Sequence, residues 1–340
     1  MFKKIFMATF LLFVMIFTGC GGEKSADTGG ADKNSANKLV IYTSMKESLI
    51  GGIVEGFKAK NPGIEVDWQS AGAGKIMAKL EAERQSGHLM ADIIWTSEVP
   101  DFYQMKNDGL LEKYKPAGFE ELLNPFDDYD GSFTAARLGT LGIVINTEKV
   151  DTPPQSWETI ATDALYKNSF GIADPALSGT AFMSIALLEK QFGWNYIVRL
   201  HDNGATKSKG SGRVVDDTAD GVLNACLGVD YITAGKIDKG APLKMIYPHE
   251  LLMVPSPVAI FKDAEHKDNA KKFVDYLMSQ EAQQKVAEAG TVPVRRDIQM
   301  PEKYNLPMPE DALNNGIKIN YSEVLEKKDE TIKNFSNLFK

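Results

Sequence analysis

This chain has little cysteine, little histidine and no surplus of positive charge, and each shortage removes a class of function. Of its 340 residues, 2 are cysteine and 4 are histidine. Once Cys20 is set aside as a candidate for modification, Cys226 stands alone, so neither a disulfide framework nor a cysteine-rich metal site is available. Acidic residues number 46 against 38 basic ones, for a formal charge of −8. That balance disfavours a nucleic-acid or anionic-membrane surface, while leaving room for one local positive pocket. No Gly-x-Ser-x-Gly elbow, His-Glu-x-x-His pair or P-loop occurs, so an exported hydrolase is an alternative without a motif behind it. Beyond the N-terminal stretch, no apolar run approaches the length of a membrane span.

That stretch is the most informative feature present. Lys3-Lys4 precede an apolar run from Ile5 to Phe17, which ends in Phe17-Thr18-Gly19-Cys20. Charge, short apolar run and small residues make an export signal. A cysteine at the cleavage point resembles the lipobox of bacterial lipoproteins, and implies lipid attachment at Cys20 after removal of residues 1–19. Removal of Lys3 and Lys4 takes the formal charge to about −10. Residues 20–38 carry Gly, Ser, Asn, Asp and Lys with almost no large apolar side chain, so they read as a flexible linker, and folding is expected from Leu39. The roughly 300 residues that follow exceed a typical single core, and two lobes are the default expectation.

The pattern of that segment is β-α-β-α-β. Lys38–Thr43 is a β-branched and aromatic run, Glu47–Lys60 has helical periodicity, Ile64–Trp68 alternates, Lys75–Ser86 is helical, and Ala91–Trp95 is a buried strand. Such an order implies a parallel sheet with covering helices, and ligands bind at the carboxyl ends of its strands. Those ends carry Thr43-Ser44, Gly72-Ala73-Gly74 and Thr96-Ser97. Leu138–Asn146 reads as a crossing strand, Gly171–Asp174 as another strand, and Ala181–Phe192 as an apolar helix. An α/β unit spans Gly212–Ile232, return strands are expected at Lys244–Pro248 and Val258–Phe261, and helices at Lys267–Met278 and Glu281–Ala289.

The ordered series of export box, Ile41-Tyr42-Thr43-Ser44, Asp92-Ile93-Ile94-Trp95, Asp174-Pro175 with Ser178-Gly179-Thr180, and Val292-Pro293-Val294-Arg295 resembles bacterial extracytoplasmic solute-binding proteins. It looks most like the branch of ABC-importer receptors for ferric ion, thiamine, phosphonate and sugar phosphate. The resemblance implies an α/β, two-lobed periplasmic-binding-protein-like fold of type II, with crossing hinge strands and a ligand cleft. The expected division is lobe 1 at residues 39–138 with 249–300, lobe 2 at 139–248, and a helical tail at 301–340 resting on one lobe. The implied partners are a small phosphorylated solute and a membrane permease, with no nucleic acid, cofactor or resident metal.

Candidate ligand groups follow. Ser178-Gly179-Thr180 places free N–H groups and two hydroxyls at a helix start, where an anion site and a plain N-cap are both compatible with the residues. Related receptors hold an anion with the matching triplet. Ser44 and Ser97 are expected opposite it. His201 and Asp202 resemble the polar pair with which sugar-phosphate receptors contact hydroxyls. Asp230 and Glu250 are further hydroxyl acceptors, and Tyr231 is the one tyrosine where ferric receptors carry an adjacent pair. With no histidine after the first strand and Lys46 in its place, ferric binding stands as the alternative. A lipoprotein that docks a protein partner is a third reading. Trp95 and Trp68, at strand ends, are expected in the core, and Lys207, Lys209 and Arg213 around Gly210-Ser211-Gly212 are compatible with long-range attraction for an anion and, as the more common case, with a solvated loop.

Overall fold

A computed structural model describes residues 37–340; Cys20, the signal segment and all but the end of the linker lie outside the described residues. The chain opens with β1 (Lys38–Thr43), α1 (Glu47–Lys60), β2 (Glu65–Ser70), α2 (Ala73–Gln85), β3 (Ile93–Trp95) and α3 (Val99–Asn107). It continues with β4 (Thr134–Asn146), α4 (Trp157–Thr162), β5 (Phe170–Ala173), α5 (Gly179–Phe192) and α6 (Trp194–Asp202). Next come β6 (Thr206–Ser208), α7 (Ser211–Ala219), β7 (Ala225–Val229), α8 (Asp230–Ile237), β8 (Leu243–Ile246) and β9 (Leu252–Ile260). Four helices finish it: α9 (Lys267–Met278), α10 (Gln280–Glu288), α11 (Pro309–Asn315) and α12 (Tyr321–Leu338).

Burial explains the strand patterns. β1 lies between β2 and β3 and is apolar on both faces, whereas β2, at the sheet edge, alternates exposed and half-buried residues. The strand order is β2-β1-β3-β9-β4-β7-β5-β6, with β8 pairing β4. Parallel pairs make up the two ends, β1 with β2 and β3, and β5 with β6 and β7. Between them β9 and β4 run antiparallel to each other and to their neighbours. Two parallel half-sheets are therefore joined through β4 and β9, the crossing strands expected of the two-lobed α/β fold.

β9 is longer than the return strand expected at Val258–Phe261, because two prolines inside it, Pro255 and Pro257, mask its N-terminal half. Proline donates no ladder hydrogen bond, so it sits at bulges. The β4 register shifts between Ala135 and Leu138, directly opposite those prolines. Arg137 lies in that bulge and is wholly buried.

Most of the core is one cluster running through both half-sheets, with Trp95, Phe102, Trp157, Phe182 and Phe273 among its fully buried members. Trp95 is buried as expected, and Trp68 is half-buried against the same cluster. Cys226 is a free buried thiol, pushed up to about 12 by burial. The tail departs from the expectation of resting on one lobe. α12 lies along α3 of the first half and also against α5 of the second, and its Lys328 ammonium sits 5.7 Å from the Phe182 ring of α5. No described helix is long and apolar enough to cross a membrane.

Candidate functional site

The carboxyl ends of the strands in both halves face one another across a cavity of about 460 Å³. Its wall is built from helix beginnings. Lys46 precedes α1, Gly72 and Ala73 start α2, Ser178 to Thr180 start α5, Gly210 to Gly212 start α7, and Val229 and Tyr231 start α8. Each start carries N–H groups without helical partners and the positive end of a peptide dipole, so the cavity favours a negatively charged guest. The halves meet closely beside it: a Cβ on Gly72 would lie 2.4 Å from the Leu177 carbonyl oxygen, so only glycine allows this approach.

Three hydroxyls form a triangle on one wall. Ser178 Oγ lies 2.8 Å from Ser211 Oγ and 3.1 Å from Thr180 Oγ1, and the last two are 3.0 Å apart. Ser178 Oγ also accepts weakly from the Ala181 N–H at 3.4 Å, the N-cap role compatible with the sequence. Each hydroxyl can turn its proton toward a guest at the loss of only a neutral hydrogen bond. Ser211 was legible only as part of a Gly-Ser-Gly loop. The register of β5 with β6 carries it to the triplet, since Ala173 pairs with Ser208 three residues before it.

Ser44 and Ser97 line the opposite wall, and Tyr231, at the start of α8 in the same half as the triangle, lines the cavity beside Lys46. Ser97 Oγ is 2.7 Å from Ser256 Oγ and accepts from Arg137 Nη2 at 3.2 Å. Burial pushes the Tyr231 hydroxyl above the ordinary phenol range, against the pull of Arg137, and its oxygen accepts the Lys46 N–H at 3.2 Å. Tyr231 is the one tyrosine among the lining residues, so a trivalent cation would find a single phenol oxygen there. The wall also bears cationic side chains and no carboxylate, which further disfavours ferric ion as the guest.

Four expected contacts are placed elsewhere. Asp230 is fully buried beneath the floor, where its carboxylate accepts Arg137 Nη1 at 3.0 Å, the Thr140 N–H at 2.8 Å, the Tyr231 N–H at 2.7 Å and the Thr291 hydroxyl at 2.5 Å. With its oxygens so engaged, it has no lone pair facing a sugar hydroxyl. His201 and Asp202 sit at the far end of α6, outside the cavity wall, where the imidazole meets the Phe339 ring edge-on at 5.2 Å. Asn203, next to the pair, accepts the Asn168 N–H at 2.9 Å just before β5 begins, so the pair belongs to the side of this half opposite the carboxyl ends of the strands. Glu250 offers its carbonyl to Trp157 Nε1 at 2.9 Å and does not line the cavity.

A family model described as bacterial extracellular solute-binding protein matches residues 52–310. The chain belongs to this family. The family's extracellular description places this solute-binding protein outside the cytoplasm. A protein of Salmonella typhimurium named as a candidate 2-aminoethylphosphonate-binding periplasmic protein is 25% identical over 251 residues, 70% of this chain and 72% of that one. Among solved structures, the periplasmic binding protein AfuA from Actinobacillus pleuropneumoniae, with fructose-6-phosphate bound, has a TM-score of 0.78. It is 24% identical, covering 89% of this chain and 98% of that one. Iron-bound HitA from Pseudomonas aeruginosa has a TM-score of 0.73 at 20% identity, with 88% and 99% coverage. At these identities the structural likeness establishes the two-lobed fold, and fold alone does not choose between phosphate and iron.

Proposed function

We propose that this solute-binding protein is the receptor of an ABC import system that captures a small phosphorylated solute, a sugar phosphate or a phosphonate, and delivers it to a membrane permease. The observation that carries the reading is the hydroxyl triangle of Ser178, Thr180 and Ser211 set among converging helix starts. Hydroxyl and N–H donors match the acceptor-rich surface of a phosphoryl group, and the helix dipoles oppose its negative charge without a dedicated cation. The names of the phosphonate-binding relative and of the fructose-6-phosphate complex support the same class.

In this reading Ser178, Gly179, Thr180 and Ser211 hold the phosphoryl group with Tyr231 beside them in the same lobe, while Ser44 and Ser97 close over it from the other wall. Residues 39–138 with 249–300 move as one lobe and 139–248 as the other, about the β4–β9 crossing. The cycle makes and breaks no covalent bond. A lipid on Cys20 tethers the receptor at the membrane, with the linker giving it reach.

The test is a double substitution, Ser178→Ala with Thr180→Ala, read by calorimetric titration of a sugar phosphate and a phosphonate. Affinity is expected to fall at least about 10-fold, since each hydrogen bond to a charged group contributes about 1.5–3 kcal/mol. Loss of the cap costs the fold only about 1 kcal/mol, which a melting curve checks independently. Unchanged affinity in a folded variant removes the phosphoryl assignment.

A further inference from the structure

We propose that the solute carries a second anionic group beyond its phosphoryl or phosphonate group, and that Lys46, Lys75 and Lys209 select for it. The proposal rests on the phosphoryl reading above and narrows its substrate class. Four cationic side chains line the cavity, these three lysines and Arg213, with no aspartate or glutamate among the lining residues. Arg213 is already matched by Asp217 at 2.6 Å. The three lysines have no ion-pair partner among the described residues, whereas nearby Lys207 pairs with Asp174 at 3.5 Å and Lys236 with Asp216. In a chain of formal charge −8, this cavity wall carries the opposite sign to the chain as a whole.

The phosphoryl group does not account for these lysines. The hydroxyl triangle and the helix-start N–H groups already supply its donors, leaving the ammonium groups in surplus. They also belong to both sides of the cleft: Lys46 and Lys75 follow β1 and β2, and Lys209 follows β6. Closing on an empty cleft, or on a guest whose only charge is the phosphoryl group already held at the hydroxyl wall, brings the ammonium groups toward one another; a second anion between the walls offsets that repulsion. An ammonium group on the solute would meet the same positive field with no carboxylate on the wall to receive it. The chain is thus suited to a phosphorylated acid or a bisphosphate, and unlike its relative named for 2-aminoethylphosphonate, it is poorly suited to a zwitterion.

Three probes that share one P–CH2–CH2 unit and differ in what ends it separate the possibilities: ethylphosphonate (nothing), 3-phosphonopropionate (a carboxylate) and 2-aminoethylphosphonate (an ammonium). Each is titrated calorimetrically into the purified protein at low ionic strength, and again into a Lys75→Gln, Lys209→Gln variant. The expected order is 3-phosphonopropionate about 10-fold tighter than ethylphosphonate, with 2-aminoethylphosphonate weakest, and the spread narrowing to about 3-fold in the variant. Both lysines are exposed, so the variant keeps its fold. If 2-aminoethylphosphonate binds as tightly as ethylphosphonate, or the spread ignores the substitutions, the second-anion proposal is overturned while the phosphoryl reading stands. Failure of all three, and of fructose 6-phosphate titrated beside them, to bind overturns the phosphoryl reading and the proposal with it.

Discussion

Two buried charge clusters tie the halves of this molecule together, and they differ in how completely the charge is answered. Beneath the cavity, Arg137 of the β4 bulge pairs with Asp230 of α8, with Thr140, Thr291 and Ser97 taking up most of the remaining donors and acceptors. One cation faces one carboxylate, and both side chains are wholly buried. Even the space is dedicated, since a Cβ on Gly139 would lie 2.4 Å from Arg137 Nη1. Beside the cavity, Lys328 of α12 reaches both Glu98 and Asp101 at the start of α3, so two carboxylates share one cation. Asp101 Oδ2 is left without a hydrogen-bond partner there. Burial and then the neighbouring Asp101 push the Glu98 carboxyl up to about 7, against the pull of Lys328. Burial opposes the charge on Lys328 as well, but the two carboxylates outweigh it and raise its pKa. Arg137 Nε is unpartnered too, but there one cation meets one carboxylate and neither charge is in excess; an acid-rich cluster can relieve its excess by taking a proton.

The largest expected effect lies at the matched pair. Asp230→Ala should destabilise the protein by about 3–5 kcal/mol, because it strands the Arg137 charge in the interior. Denaturant unfolding measures this. Replacing both partners together, Arg137→Met with Asp230→Leu, should cost distinctly less, and equal losses would show that the charge itself is not the issue.

Lys328→Met is expected to cost less, about 1–3 kcal/mol at pH 7.5, as Glu98 and Asp101 lose their shared cation but can still be protonated. Measured at pH 5, the loss should shrink. A loss independent of pH would place this cluster in the same class as the Arg137–Asp230 pair.

A smaller effect concerns the intact protein. The folded-state value of Glu98 stands above its ordinary value of 4.5, so the folded protein binds its proton more tightly than the unfolded chain does. This contribution is fully present below about 4.5, and is lost as pH rises through about 7. Melting temperature followed across that window should therefore fall more steeply in the natural chain than in a Glu98→Gln variant. Parallel curves would remove Glu98 as the titrating group. The smallest effect is expected at His201→Ala, which should leave solute affinity unchanged because the ring meets Phe339 outside the cavity wall. A weakened affinity there would return the imidazole to the ligand.

How much of this was legible beforehand depends on the range of the interaction. The strand at Lys38–Thr43, the helix at Lys267–Met278 and the N-terminus at Ser178 were readable because β-branched runs, 3.6-residue periodicity and capping residues act within a few positions. β9 was half hidden, since the same prolines that shape the β4 bulge disguise the strand opposite it. Asp230, by contrast, looked like a ligand acceptor because nothing near it in sequence advertises its partner. Arg137 is 93 residues away.

From the sequence alone came the exported character of the chain, the α/β order, the crossing strands and the triplet at the start of α5, all of them properties of short windows or of their order. Only the tertiary structure decided which groups share the cavity. It brought Ser211 to Ser178 across 33 residues, turned His201 and Asp202 away, sank Asp230 beneath the floor, and set Lys46, Lys75 and Lys209 around one space. The reason is physical: a local pattern says which faces a segment buries, but which polar groups converge depends on strand register and on how two half-sheets close, and these are settled by contacts distant in the chain.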